Sequence, residues 1–189
     1  FFHRTDAAFR APYTAEGMAK GAAAAAAVTT ANLRLDLRAS IDWLAAQPFV
    51  VGSRIGVWGF CMGASVAFLA AMEPGISCAI CFYGAQIARP WRNGEPGALE
   101  QAAELKAPLL LAFGGRDHSI PPDAVAAIES TLQRLGKRYE LIMYPDADHA
   151  FFRSGGSDRD RTEVADAWRR ARAFLAAELG YPPRTGRPK

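Results

Sequence analysis

The chain has 189 residues, of which half are hydrophobic and 22% charged, with a formal net charge of +3. That length and balance suit one soluble globular domain with a sizeable core, and the mild charge, with no Lys/Arg cluster interleaved with aromatics, excludes a nucleic-acid-binding face. No apolar run is long enough to span a bilayer, and three cysteines, Cys61, Cys78 and Cys81, are too few and odd in number for a disulfide framework, which points to a reducing compartment, the cytoplasm.

The chain begins at Phe1 rather than at a methionine. Residues 22–27 are all alanine; lacking bulky apolar side chains, they read as helix rather than as a signal peptide. Over residues 32–47, Leu33, Leu37, Ile41 and Leu44 recur at spacings of three and four, one amphipathic stripe. Residues 54–58 then have the continuous apolar character of a strand buried on both faces, followed directly by a small-residue helix over 64–72. A second strand is expected at 77–83. The connection over 84–98, with Gly84, Pro90, Gly94, Pro96 and Gly97, is longer than a routine loop, and such loops at the carboxyl end of a strand often line a site. A third strand over 108–113 leads to a helix over 122–135, which opens with proline in its first turn and stops at Gly136. A fourth strand is expected at 139–144. The helix over 160–179 closes the domain with Val164, Ala167, Trp168, Ala171, Phe174 and Leu175 on one side. Residues 181–189, rich in Pro, Gly and basic side chains, read as a solvated tail beyond a single domain over 1–180.

Strands alternating with helices imply right-handed crossovers and a mainly parallel sheet covered by helices on both faces, an α/β architecture. In such sheets ligands bind beyond the carboxyl ends of the strands. The most informative stretch lies there: Ile55-Gly56-Val57-Trp58-Gly59-Phe60-Cys61-Met62-Gly63-Ala64. It is a strand, then G-x-C-x-G, then a helix, the pattern of a nucleophile elbow with Cys in place of Ser. The turn is so tight that side chains two residues before and after the nucleophile would collide, hence Gly59 and Gly63. Cys61 then sits at a helix N-terminus, where the dipole favours a thiolate. The Met62 backbone N–H is poised to stabilise an oxyanion.

A nucleophile needs a base, and the base an orienting acid. Asp117, in Gly114-Gly115-Arg116-Asp117, follows the third strand; His149, in Pro145-Asp146-Ala147-Asp148-His149, follows the fourth. Their order along the chain, nucleophile, acid, histidine, is the one this elbow requires. Asp123, Asp146 and Asp148 are rival acids, but none directly follows a strand. His3 lies near the start of the chain and His118 follows no strand of its own. Cys78 and Cys81 look like C-x-x-C. Three apart on a strand, however, they point to opposite faces, which suits core packing rather than redox or zinc chemistry.

These stretches, G-F-C-M-G-A, G-G-R-D-H-S-I-P and D-H-A-F-F-R, resemble the dienelactone hydrolase family of α/β-hydrolases over residues 1–179. The resemblance implies Cys61 as nucleophile, Asp117 as acid and His149 as base. It further implies Arg153 as a substrate-carboxylate ligand, with Arg4 as a second. The family fold carries strands before the point where this chain begins, with a second oxyanion N–H and a glutamate beside the cysteine, so the resemblance also implies an N-terminally incomplete domain. The expected activity is hydrolysis of a carboxylate-bearing enol lactone or activated ester, by a monomer or homodimer that acts on a small molecule; the alternatives are an esterase of the same fold with a different small ester substrate, or a non-catalytic binding module of that fold. Nothing has metal-ligand spacing, so neither metal nor cofactor is expected, nor any nucleic-acid or membrane partner.

Overall fold

The computed structural model describes residues 2–4, 6–12, 14–51, 54–153 and 158–181. In chain order these form α1 (Ala15–Ala25), α2 (Thr30–Ala45), β1 (Ile55–Phe60), α3 (Met62–Ala70) and β2 (Ile76–Phe82). Two short 3-10 helices follow (Ala85–Ile87 and Ala98–Glu104), then β3 (Leu109–Gly114), α4 (Pro122–Arg134), β4 (Tyr139–Tyr144) and α5 (Asp158–Leu179). The strands make one parallel sheet in the order β1-β2-β3-β4.

Local chemistry sets the helix boundaries. The Thr14 and Thr29 side chains accept the N–H groups of Gly17 and Asn32, capping α1 and α2. α4 starts with Pro122, and the chain leaves it through Gly136 at φ 59°. α1 starts seven residues before the alanine run expected to be helical at 22–27 and ends at Ala25; the other ends differ from expectation by a residue or two, and one such shift matters: β1 runs on to Phe60, so the strand delivers Cys61 directly.

The sheet is covered on both faces. A Cβ added at Gly56 would lie 3.0 Å from Leu175 of α5, whereas one at Gly59 would lie 2.0 Å from the Gly63 carbonyl oxygen in α3. Cys78 pairs in register with Gly56 and Cys81 with Gly59. The two thiols therefore face opposite sides of the sheet, and both are buried and unbridged. Two-sided burial, expected of all four strands, holds for β2 and β3 only. In β4 Tyr144 alone is buried, and β1 is half-covered, because each has a single neighbour in the described sheet. Trp168 also departs from its expected buried stripe: it is 48% exposed, stacked on Trp58 at 5.5 Å.

Buried residues from every strand and from α2, α3, α4 and α5 form one contiguous core. Glu73, buried just beyond α3, accepts bonds from Arg34 at 2.6 Å and Arg38 at 2.7 Å, which clamps α2 to that core. Residues 182–189, most of the expected tail, lie outside the described residues; at its start, the Tyr181 N–H bonds back to the Ala176 carbonyl at 2.9 Å. Among the described residues no helix is long and apolar enough to cross a membrane.

Candidate active site

The elbow is built by strand and helix pulling the chain in opposite directions. The Cys61 N–H still makes a sheet-like bond to the Phe82 carbonyl at 3.0 Å, while its own carbonyl already accepts the Ala64 N–H of α3. Meeting both demands forces Cys61 to φ 52° and ψ −123°. For a residue with a Cβ that conformation costs about 1–3 kcal/mol, and it persists only where surrounding structure over-determines it. The result is an exposed sulfur at the head of α3, with the Met62 N–H directed towards it.

Asp117 and His149 reach Cys61 because the loops after β3 and β4 run against each other. A Cβ at Gly114 would lie 2.4 Å from the Ala147 carbonyl oxygen, and one at Gly115 equally close to that of Pro145. Only glycine permits this approach. Backbone bonds from Gly115 to Tyr144 (2.7 Å) and from Arg116 to Ala147 (2.9 Å), with an Arg116–Asp146 ion pair at 2.6 Å, close the seam. On one side of it stands Asp117, its side chain fully buried. One carboxylate oxygen accepts the Ser119 N–H at 2.8 Å and the other the His149 Nδ1–H at 2.7 Å. His149 Nε2 lies 3.3 Å from the Cys61 sulfur. The structure thus brings together the three side chains singled out in the sequence. The rival acids Asp123, Asp146 and Asp148 are exposed.

Two further residues hold this geometry, and nothing in the sequence marked them. Tyr83, at the end of β2, and Ala150, beside the histidine, both have positive φ, 46° and 60°. With Cys61 they are the only non-glycine residues among those described that do, and all three border the site. The Tyr83 ring packs edge-on against the His149 imidazole at 5.3 Å, and buried Phe151 packs against Tyr83 and Tyr144. The imidazole is held by packing as well as by Asp117.

The bonds set the charges. The hydrogen bond to Asp117, then that to Cys61, pushes the His149 imidazole up to about 10, against the opposing effect of burial. The bond from His149 holds the Cys61 thiol below its ordinary range, again against burial. An imidazolium facing a thiolate is the arrangement that both shifts describe.

A cavity of about 680 Å³ opens over this pair, lined by Cys61, His149, Ala150 and Arg153, by Met18 of α1, and by residues of the arm 84–97 together with Ser119. Arg153 reaches the cavity because its N–H closes a turn onto the Ala150 carbonyl at 2.9 Å. Arg4 does not line it; its guanidinium is paired with Asp36 of α2 at 2.5 Å. Two arginines that the sequence reading did not single out, Arg89 and Arg92, line it instead. The available signal was their position in a long loop leaving the carboxyl end of a strand.

Comparison with known proteins agrees with this architecture. The model of the dienelactone hydrolase family matches residues 7–179. A Synechocystis protein provisionally named a carboxymethylenebutenolidase is 30% identical over 180 residues, covering 94% of this chain and 72% of that one. A Bradyrhizobium protein provisionally named a 2-oxo-3-(5-oxofuran-2-ylidene)propanoate lactonase is 30% identical over 145 residues, covering 76% and 58%. The crystal structure of a provisionally assigned dienelactone hydrolase from Klebsiella pneumoniae is 30% identical with a TM-score of 0.66, covering 75% of this chain and 59% of that one. Matches to several further carboxymethylenebutenolidase relatives span about half their length or less. With its family model, its sheet and its relatives in agreement, the chain belongs to the dienelactone hydrolase family, carboxylic ester hydrolases of the α/β-hydrolase fold.

Proposed function

We propose that the protein hydrolyses a lactone or activated ester through Cys61 as nucleophile, with His149 as base and Asp117 as the group that orients it. The observation carrying this reading is the chain of contacts from Asp117 to His149 to Cys61, at 2.7 and 3.3 Å, on a strained elbow. The thiolate attacks the carbonyl carbon; a C–S bond forms, and the carbonyl electron pair moves to oxygen beside the Met62 N–H. Collapse of this intermediate breaks the C–O bond, and the departing oxygen takes the proton from the His149 imidazolium. Water, deprotonated by His149, then adds to the thioester and expels the thiolate. These steps use only the chain's own groups and water.

Thiolate is itself a good leaving group, so an intermediate with a poor alkoxide reverts to substrate. Cysteine therefore favours leaving groups that are stabilised, such as the enolate released from an enol lactone. Arg153 at the cavity wall suits a substrate carboxylate. Together these features favour a carboxylate-bearing enol lactone of the carboxymethylenebutenolide type, processed by a cytoplasmic monomer or homodimer in the breakdown of aromatic compounds.

The test is turnover of a dienelactone and of p-nitrophenyl acetate by the full-length protein and its Cys61→Ala variant. Wild-type turnover of both, reduced by about 10⁴-fold or more in the variant, is expected. Activity surviving in Cys61→Ala within tenfold of wild type overturns the mechanism. Turnover of the simple ester alone removes only the lactone assignment.

A further inference from the structure

The arm between β2 and β3 is tethered more firmly than a loop needs merely to connect strands. Trp91 is buried, and its backbone N–H bonds to the Glu95 carbonyl at 2.8 Å. The Glu95 carboxylate accepts both the Thr30 N–H (2.7 Å) and the Thr30 hydroxyl (2.6 Å) at the start of α2. Asn93 donates to the Val28 carbonyl at 3.0 Å. Gly97 folds back so closely that a Cβ there would lie 2.8 Å from the carbonyl oxygens of Ile87 and Arg89. The Arg89 N–H itself bonds to the Ala85 carbonyl at 3.1 Å. These contacts hold the backbone of Arg89 without using its side chain.

That side chain crosses to the loop after β3. One Nη donates to the Ser119 carbonyl at 2.7 Å. Ser119 belongs to the turn that carries Asp117: its N–H donates to an Asp117 carboxylate oxygen at 2.8 Å, and the Ile120 N–H donates to the Asp117 carbonyl at 3.1 Å. The Ser119 carbonyl and the Ile120 N–H are the two ends of one rigid peptide unit. A guanidinium bonded to one end therefore fixes, and polarises, the group that grips Asp117 at the other. Pro121 and Pro122, which come next, have no N–H with which to brace the turn. Before Asp117 the chain is held by the seam to the β4 loop, through Gly115 and Arg116. After Asp117 it is held to the arm by Arg89. A carboxylate that aims an imidazole has to be placed to within about 0.5 Å.

We propose that Arg89 is a positioning residue for the triad: by pinning the Ser119 carbonyl to the arm it places the Asp117 carboxylate, and through it the His149 imidazole. The inference rests on the hydrolase reading above for its chemistry, but the pinning itself is read on the thiol. Without the bond the turn relaxes, the contact between Asp117 and His149 at 2.7 Å weakens, and the imidazolium is less favoured. Cys61 then loses part of the bond that holds its thiol below the ordinary range, so its thiolate is lost at a higher pH than in the intact site. Arg89 also lines the cavity. An arginine that did no more than meet a substrate anion there would leave a neutral ester, and the thiol, untouched.

The experiment compares the full-length protein with Arg89→Gln, Arg89→Lys and Arg134→Gln. It measures kcat and KM for p-nitrophenyl acetate, which carries no charge, and the pH profile of Cys61 alkylation by iodoacetamide. In Arg89→Gln, kcat should fall about tenfold, short of the 100-fold that a displacement of about 1 Å costs, with KM within twofold of wild type. Alkylation at pH 7 should slow severalfold and its profile should move upwards. The bond to Ser119 is single rather than a fork, so a lysine ammonium can make it. Arg89→Lys should therefore recover most of both losses. Arg134→Gln, which removes an equal charge from the last turn of α4, should change neither. A wild-type kcat and profile in Arg89→Gln overturns the proposal. So does a fall in kcat that follows a lowered Tm while the profile stays in place, since that is damage to the fold alone. Equal losses in Arg89→Lys and Arg89→Gln, or in Arg134→Gln, overturn it too. If wild type turns over no ester while Arg89→Gln still moves the alkylation profile, the hydrolase reading falls and the positioning role stands. Turnover through Cys61 that is indifferent to Arg89, with an unmoved profile, has the opposite meaning.

Discussion

The mouth of the sheet and its interior hold the same functional group in opposite chemical states. At the mouth, Cys61 is exposed, strained and bonded to His149, and its thiol is held below the ordinary range. Twenty residues on, within β2, Cys81 is fully buried among apolar side chains, and burial alone pushes its thiol far up. Cys78, on the opposite face of the same strand, is pushed up to about 11, first by burial and then by the nearby Glu178 carboxylate. A cysteine is therefore reactive here by placement, not by identity. Placement means a backbone turn that carries the sulfur out of the core and a histidine that supplies the compensating charge.

That contrast can be broken most severely at the elbow. Gly59→Ala would set a methyl group 2.0 Å from the Gly63 carbonyl oxygen, so the strand and α3 must move apart. A displacement of about 1 Å at a reacting atom costs on the order of 100-fold in rate. We expect a loss of at least that size in ester turnover, together with a lowered Tm. A Gly59→Ala protein with wild-type kcat would mean that the elbow does not depend on this close approach.

Removing the charge partner should erase the difference in acidity while leaving the turn in place. Because the Cys61 pKa is lowered, its thiolate persists below the ordinary thiol range and is lost only as pH falls through the lowered value. An ordinary cysteine at pH 7 is only a few per cent thiolate. Alkylation of native protein by iodoacetamide at pH 7 should therefore be about tenfold slower or more in His149→Ala, and its pH profile should move upwards. An unchanged profile would show that helix dipole and Met62 N–H suffice to ionise the thiol.

The smallest effect belongs to the interior. Native protein should take up one equivalent of iodoacetamide and denatured protein three. Cys81→Ser, which buries a hydroxyl among apolar neighbours, should lower stability by about 1–3 kcal/mol, read as a fall in Tm. Its turnover should match wild type. A second native equivalent would mean that the sheet opens far enough to expose a core thiol.

Much of this arrangement was legible in the residues. Periodicity located the four strands and the long helices, since a two-sided apolar run and a 3.6-residue stripe are local properties. Gly59, Gly63 and the order Cys61, Asp117, His149 were legible because an elbow imposes its demands on neighbours along the chain. The extent of burial was less so. β4 reads like β2 and β3, yet it has one neighbour in the described sheet rather than two, and neighbours are not written in a strand's own sequence. Arg4 looked like a cavity residue and is paired with Asp36, a partner 32 positions away that no local pattern announces.

The sequence by itself determined which chemistry the chain carries: a thiol in a turn that only small neighbours allow, a carboxylate and an imidazole at the ends of later strands. The tertiary structure alone decided how those groups behave. The seam at Gly114 and Gly115, the positive φ of Tyr83 and Ala150, and the ring of Tyr83 on His149 all arise from segments distant in sequence packed at contact distance. So does the arm that carries Arg89 and Arg92 to the cavity, tethered to the start of α2. Backbone strain and charge coupling depend on through-space distances of a few ångströms, and such distances exist only once the chain has folded.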